Sequence, residues 1–370
     1  MQDIYISGTG LWTPPHKVSN EELVNSFNEY VQLYNEEHKT EINNGTLNPL
    51  ESSSTEFILK ASGIQNRYVI EKESLLNPKI MKPIIEPRAD NELSVCAEIS
   101  VIAANEALKN ANLNASEIDA VIVSTANLQR AYPAIAIEVQ NELGINGYAY
   151  DMMVGCSSTT FGISNAYADI VSGKASKVLV INPEITTAHN NHKNRDSHFI
   201  FGDVCTAAVL EKDSKSSNKF KILSTKLKTQ FSNNIRNNFG FMNAIENKDY
   251  TEEELLFVQN GRSVFKEVMP MVASIITEHL DENNLSPLEV EQYWLHQANI
   301  NMNTYVVKKL LGDKFPPERA PNVLDEYGNT GSAGSMISFH KYNHLQKGQK
   351  GIICSFGAGY SICSILVEKA

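Results

Sequence analysis

The apolar positions of this chain switch repeatedly between two spacings. Short, nearly unbroken runs suit buried strands, and three-to-four spacing suits helices. Ile4 to Gly8 reads as a strand that ends at a Pro14-Pro15 turn. Residues 20–60 are polar and helical in character, with Ser and Asn-Gly interruptions, and residues 70–90 hold several prolines and read as an ordered loop. A helix is predicted from about Glu92, because Ala97, Val101, Ala104 and Leu108 share one face. Ala120 to Ser124 is a short buried strand, and Pro133 to Leu143 is a helix with proline at its entry. A helix over Ser157 to Ser172 and strands over Lys177 to Ile181 and Val204 to Leu210 complete this half. The second half repeats the grammar. Lys219 to Lys226 reads as a strand, and Glu252 to Leu280 as a long helix broken near Pro270. Tyr293 to Leu295 is a strand end, Asn301 to Leu311 and Ser332 to Leu345 are helices, and Gly351 to Ser355 and Ser361 to Val367 are strands.

One stretch echoes another. Ile170 to Asn182 and His344 to Ser355 each carry a helix ending at Gly, a short basic turn and a buried strand. Alternating strands and helices point to a layered α/β architecture with buried sheets. The echo suggests a duplicated unit, with a first half over residues 1–213 and a second over 214–370.

Composition narrows the function. A chain of 370 residues can bury a large core. The net charge of −11 disfavours nucleic acid as a partner, because phosphate binding needs a basic surface. An acidic protein partner would need a local basic patch, and Lys308-Lys309 is one candidate. The longest apolar stretches are strand-sized, so no membrane partner is expected. The N-terminus lacks the basic start and apolar core of a signal peptide, which points to the cytoplasm. Cys96, Cys156, Cys205, Cys354 and Cys363 form no metal-ligand spacing and read as free thiols. His189, His192 and His198 cluster in a polar loop, but their spacing is irregular and no metal is expected there.

Cys156 carries the chemistry. It follows the apolar run that ends at Gly155 and precedes a helix, so the helix dipole and free N–H groups should favour its thiolate. A lone cysteine is more often a structural core residue. Two later segments change that balance: His296 in Tyr-Trp-Leu-His-Gln-Ala-Asn and Asn329 in Tyr-Gly-Asn-Thr-Gly. A nucleophilic sulfur with an imidazole and a carboxamide as hydrogen-bond donors suits thioester chemistry.

Taken together, these segments resemble the 3-oxoacyl-[acyl-carrier-protein] synthase III family, the initiating ketosynthases of the thiolase fold. The resemblance rests on Gly63-Ile-Gln-Asn-Arg67, Ile118 to Thr125, Tyr132 to Gln140, Cys156, Phe201-Gly-Asp203, Val264-Phe-Lys266, His296-Gln-Ala-Asn299, Gly328-Asn-Thr330 and Phe356-Gly-Ala-Gly359, in that order and spacing. It implies two similar halves packed as five α-β-α-β-α layers. It also implies a decarboxylative Claisen condensation of an acyl-CoA primer with malonyl-acyl carrier protein, through an acyl-Cys156 intermediate. His296 and Asn329 would stabilise the charge left by loss of carbon dioxide, and the backbone N–H groups of Cys156 and Ala358 would form an oxyanion hole. Substrate contacts fall to Phe57, Tyr132, Phe201, Asn301, Phe356 and Gly357. Tyr132 would reach the acyl pocket of a second subunit, which implies a homodimer. No cofactor is implied beyond the CoA and phosphopantetheine of the substrates.

Three departures stand out. Family members carry a Trp and an Arg that sandwich the CoA adenine, where this chain has Phe57 and Ala61. An Arg that helps dock the carrier protein is replaced by Asn301. Extra length near 24–55 and 71–90 is expected to reshape the acyl entrance and admit primers longer than acetyl. Degradative thiolases need a cysteine inside the C-terminal glycine loop, and elongating ketosynthases a second histidine in place of Asn329; this chain has neither. A cysteine hydrolase or a silent acyl-binding subunit fits the flanking blocks less well. Head-to-head acyl condensation and secondary-metabolite or signal synthesis share Cys-His-Asn and remain the alternative.

Overall fold

The structure, a computed structural model, describes residues 3–89, 91–237, 255–313 and 315–370. The strands are β1 (Ile4–Trp12), β2 (His16–Ser19), β3 (Asn66–Val69), β4 (Ala120–Ser124), β5 (Tyr148–Met152), β6 (Lys177–Glu184), β7 (Val204–Lys212), β8 (Phe220–Thr229), β9 (Ile235–Arg236), β10 (Val258–Gln259), β11 (Val290–Leu295), β12 (Lys350–Gly357) and β13 (Ser361–Lys369). The helices are α1 (Asn20–Glu37), α2 (Lys39–Asn43), α3 (Thr55–Ser62), α4 (Val95–Ala111), α5 (Ile135–Leu143), α6 (Ser158–Val171), α7 (Gly261–Glu282), α8 (Ile300–Leu311), α9 (Leu324–Tyr327) and α10 (Gly334–Lys341).

Nine strands join in the order β11-β12-β13-β8-β1-β7-β6-β4-β5. The seam between β1 and β8 is narrow, with Tyr5 opposite Lys221 and Ile6 opposite Phe220. Side chains alternate across each strand, so both faces must be covered. Val121, Val123, Leu179 and Ile181 pack outward against α4 and α5, while Ala120, Ile122, Val178 and Val180 point to the centre. There α6 lies on β4, β6 and β7 on one side and on β12 and β13 on the other. Beyond the second group of strands, α7 and α8 close the far face with Val268, Val272, Ile276 and Val307. The result is five layers, α-β-α-β-α. The central helix can sit between the two groups of strands because it is small at its contacts: a Cβ on Gly162 would lie 2.8 Å from the Ser124 Cβ.

Several elements differ from expectation. Helix α7 is not broken at Pro270. The ring removes one hydrogen bond, at a cost of about 3 kcal/mol, yet Pro270 faces solvent while Val264, Val268, Met269, Val272, Ile275 and Ile276 are buried along the other face. Each of those side chains contributes about 1.5–3 kcal/mol, so burial wins. The helix starts at Gly261, after the short strand β10; residues 252–254 of the expected helix lie outside the described residues. Helix α10 is confined to Gly334–Lys341, because Ser332 is bound elsewhere. The polar region after β2 holds α1, opened by a Ser19–Glu22 capping box.

Candidate active site

Several separate chain segments converge on one cavity of about 300 Å³, at the low end for small-molecule sites. Cys156, His296, Asn329, Phe57, Phe201, Phe356 and Gly357 all line it, so seven of the sequence candidates meet there. Ala358 is next to them, since a Cβ on Gly155 would lie 3.2 Å from the Ala358 Cβ. Gly155 itself has φ +54, a left-handed conformation that turns the chain from β5 toward α6.

Cys156 sits two residues before α6 and is half-buried. What surface it keeps faces the cavity, while protein surrounds the rest of the residue. Burial pushes its thiol up to about 12 and the Glu184 carboxyl adds to this, while the N–H groups of Ala358 and Cys156 pull the other way. The expected resting thiolate is therefore corrected to a neutral thiol: desolvation exceeds what the helix start and two N–H groups return. The two N–H groups nevertheless face the sulfur.

His296 follows β11, and its N–H donates to the Cys354 carbonyl at 2.8 Å. Its ring meets Phe356 edge to face at 5.2 Å. Burial holds its pKa down, to about 4, so the imidazole is neutral at pH 7. Nδ1 is buried without a hydrogen-bond partner, which leaves the Nε2 edge for the cavity. Asn329 is fixed from both backbone sides: its N–H donates to Ile200 and its carbonyl accepts from Gly202. The carboxamide oxygen accepts from the Gly331 N–H at 3.1 Å, so the NH2 group is the free end.

The loop Gly357–Tyr360 is clamped from two directions. The Ser157 and Ser361 hydroxyls are 2.6 Å apart, and Ser361 Oγ donates to the Ala358 carbonyl at 2.9 Å. On the other side, the Ser232 N–H donates to Gly359 at 2.7 Å, and the Tyr360 hydroxyl donates to Glu267 at 2.9 Å.

Two candidates are not brought to the cavity. Asn301 lies in the first turn of α8 with its N–H bonded to the Asn299 side chain. Tyr132 is 85% exposed. The cation thought missing beside Phe57 comes from elsewhere: the Arg195 guanidinium stacks 4.1 Å over its ring. Sequence reading missed Arg195 because it lies in the loop before Phe199, far along the chain from α3. Its Nε donates to the Ser52 carbonyl at 2.8 Å, so the extra segment after α2 braces this loop. The three histidines of that region are hydrogen-bonded, His189 half-buried and the other two buried: His189 to Asn127, His192 to the Thr187 carbonyl and His198 to Ser53. Among the described residues no group of three or more His, Cys, Asp or Glu could hold a metal ion, and no helix is long and apolar enough to cross a membrane.

The chain is similar to known proteins in sequence and in structure. The family models for 3-oxoacyl-[acyl-carrier-protein (ACP)] synthase III and for its C-terminal part match residues 150–230 and 280–369. The chain is 52% identical to the beta-ketodecanoyl-[acyl-carrier-protein] synthase of Pseudomonas aeruginosa, over 93% of this chain and 99% of that protein. It is 28% identical to the beta-ketoacyl-[acyl-carrier-protein] synthase III of Methylococcus capsulatus, over 85% of this chain and 91% of that one. In structure it matches the 3-oxoacyl-[acyl-carrier-protein] synthase III of Aquifex aeolicus with TM-score 0.74 and 24% identity, covering 99% of both chains. This chain belongs to the 3-oxoacyl-[acyl-carrier-protein] synthase III family.

Proposed function

We propose that this condensing enzyme of fatty acid synthesis works through Cys156, His296 and Asn329 and prefers a medium-chain primer. The observation that carries the reading is the meeting of thiol, neutral imidazole and oriented carboxamide on one largely apolar cavity. Cys156 attacks the acyl-CoA thioester, the acyl group passes to sulfur, and CoA leaves as the thiol. The N–H groups of Cys156 and Ala358 receive the oxygen charge of that step. Because the resting thiol is neutral, its proton must leave as the C–S bond forms, and it ends on the departing CoA sulfur. Malonyl-carrier protein then loses carbon dioxide. The charge left on its thioester oxygen is met by His296 and the Asn329 NH2 group, both uncharged donors that fit the transition state better than the ground state. The new carbanion attacks acyl-Cys156, the C–S bond breaks, 3-oxoacyl-carrier protein departs, and the Cys156 thiolate takes up from solvent the one proton that the overall reaction consumes.

Primer length follows from the Pseudomonas aeruginosa relative. A ketodecanoyl product has ten carbons, of which malonyl supplies two, so its primer has eight. Phe199, Phe201, Phe257, Val264 and Val268 give this cavity an apolar wall that rewards a longer chain. Phe57 and Arg195 at its lip are the grip for the CoA nucleotide.

The chain is further read as two related halves that meet near residue 213, Cys156 coming from the first and His296 and Asn329 from the second. It is read as a cytoplasmic homodimer without a resident cofactor. Strand β5 is the edge of the sheet, and Tyr132, Ile137 and Met153 are exposed, the kind of edge and apolar surface that a second copy covers. Lys308 and Lys309 on α8 are the basic contribution to carrier docking.

The test is incubation with octanoyl-CoA followed by intact mass measurement. A stable acyl adduct that needs Cys156, followed by carbon dioxide release from malonyl-carrier protein, supports the reading. Condensation of two acyl-CoA molecules, or no adduct, defeats it.

A further inference from the structure

Glu184, the last residue of β6, is 1% exposed and so far figures only as a carboxyl that helps to raise the Cys156 thiol. A buried carboxyl costs several kcal/mol unless its oxygens are well bonded. Here Oε1 accepts from the Ala126 N–H at 2.9 Å, from the Ser332 N–H at 3.1 Å and from the Ser332 hydroxyl. All three donors are neutral, and burial pushes the Glu184 pKa up to about 7.

Two of those three bonds reach the turn that carries Asn329. Ser332 is also held by Thr159, in the first turn of α6, whose hydroxyl donates to the Ser332 carbonyl at 2.8 Å. Gly331, between Asn329 and Ser332, has φ +58, and a Cβ there would meet Glu184 Oε2 at 2.7 Å. The carboxyl thus occupies the space where a side chain would stand. The Gly331 N–H in turn holds the Asn329 carboxamide oxygen. An unbroken path runs from Glu184 through Ser332 and Gly331 to the orientation of Asn329.

We propose that Glu184 is a positioning residue for Asn329: its carboxyl fixes the Gly331–Ser332 turn so that the carboxamide presents its NH2 group to the cavity. This rests on the reading that Asn329 stabilises the decarboxylation charge. It makes a selective demand. Loss of the brace harms decarboxylation, which uses Asn329, and spares transfer of the primer to Cys156, which does not.

The working variant is Glu184→Asp, which keeps the charge and withdraws the carboxyl by one carbon; Glu184→Gln keeps the length and an acceptor oxygen. Misplacement of a catalytic group by about 1 Å can cost on the order of 100-fold, so Glu184→Asp should slow carbon dioxide release from malonyl-carrier protein by roughly 10- to 100-fold. Acylation of Cys156 by acyl-CoA, followed by mass, should stay within about 3-fold of the parent rate, and Glu184→Gln should restore most of the decarboxylation. In an Asn329→Ala background, Glu184→Asp should cause no further loss, because the group it positions is gone. Parent-like decarboxylation by Glu184→Asp overturns the proposal, as does an equal fall in both half-reactions or a full additional loss in the Asn329→Ala background. If Asn329→Ala alone decarboxylates normally, the role given to Asn329 fails, and the positioning role falls with it.

Discussion

Gly357 leaves no room for a side chain beside Cys156: a Cβ there would stand 2.5 Å from the Cys156 Cβ and 3.1 Å from its sulfur. The end of strand β12 and Cys156, two residues before α6, touch backbone to side chain. The first atom added to Gly357 must therefore push either Cys156 or the Ala358 N–H aside. Gly357→Ala is expected to slow acylation of Cys156 by about 100-fold, the usual cost of an ångström-scale misplacement. Gly348→Ala is the control. Gly348 has φ +84 with open space around it, so that variant loses stability through backbone strain and keeps its acylation rate. Acylation rates by mass and unfolding midpoints for the two variants separate the effects. Near-normal acylation by Gly357→Ala would break the link between this contact and catalysis.

The Arg195 guanidinium over Phe57 predicts a second split. A cation over an aromatic face contributes about 0.5–2 kcal/mol, and a nucleotide base inserted against either partner draws on the same forces. Arg195→Ala should raise KM for acyl-CoA by roughly 3- to 30-fold while kcat changes little, the pattern of lost uniform binding. With an acyl-pantetheine primer, which lacks the nucleotide, the same variant should match the parent. Equal losses for both primers would show that Arg195 serves the loop through its bond to Ser52 and does not grip the nucleotide.

These two sites mark how far the sequence could be read. Cys156, His296 and Asn329 are legible because each stands at a junction: a Gly before a helix, a strand end before a polar run, a Gly-Asn turn. Such junctions declare themselves over five or six residues. The strands of the central sheet are legible for a similar reason, since burial on both faces leaves unbroken apolar runs such as Val178 to Ile181. Arg195 and Glu184 carry no such local mark. Arg195 matters only because its loop folds onto α3, and Glu184 only because the Gly331–Ser332 turn arrives from far along the chain. The neutral state of the Cys156 thiol was likewise hidden. The helix start is visible in sequence, whereas the desolvation that outweighs it is a property of the assembled layers.

Buried titratable groups set how stability changes below neutral pH. His189, His192, His279 and His296 are each held down to about 4 by burial, from an ordinary 6.5. Between those values the unfolded chain binds protons that the folded chain refuses, so these groups destabilise the fold as pH falls from 6.5 toward 4. Glu184 and Asp203 work in the opposite direction. Burial raises them to about 7 and about 6, so the folded chain keeps protons that the unfolded chain releases, and their effect favours the fold as pH falls. Burial also lowers His198 and His340 and raises Asp151, so the histidines outnumber the acids and leave a net loss. The unfolding midpoint should drop between pH 7 and pH 5, by about 1 °C for each kcal/mol lost in a chain of this length. A midpoint that holds or rises over this interval would mean that the histidines are protonated in the fold.

Primer length is the sharpest test of the proposed substrate. Each buried methylene contributes about 0.8 kcal/mol, so two carbons are worth about 1.6 kcal/mol, or roughly 15-fold in kcat/KM. Along the series from butanoyl- to hexanoyl- to octanoyl-CoA, kcat/KM should climb by steps of about this size. Beyond eight carbons it should fall, because further methylenes must displace packed side chains such as Phe201 and Val268, both buried in the cavity wall. A maximum at octanoyl-CoA fits the ten-carbon product of the Pseudomonas aeruginosa relative. Arg195→Ala offers a matched variant. Its effect should be a change in KM alike for every primer, since the nucleotide end is common to all. If acetyl-CoA proves the best primer, the apolar wall of the cavity does not hold the acyl chain, and the wall belongs to the pantetheine path instead.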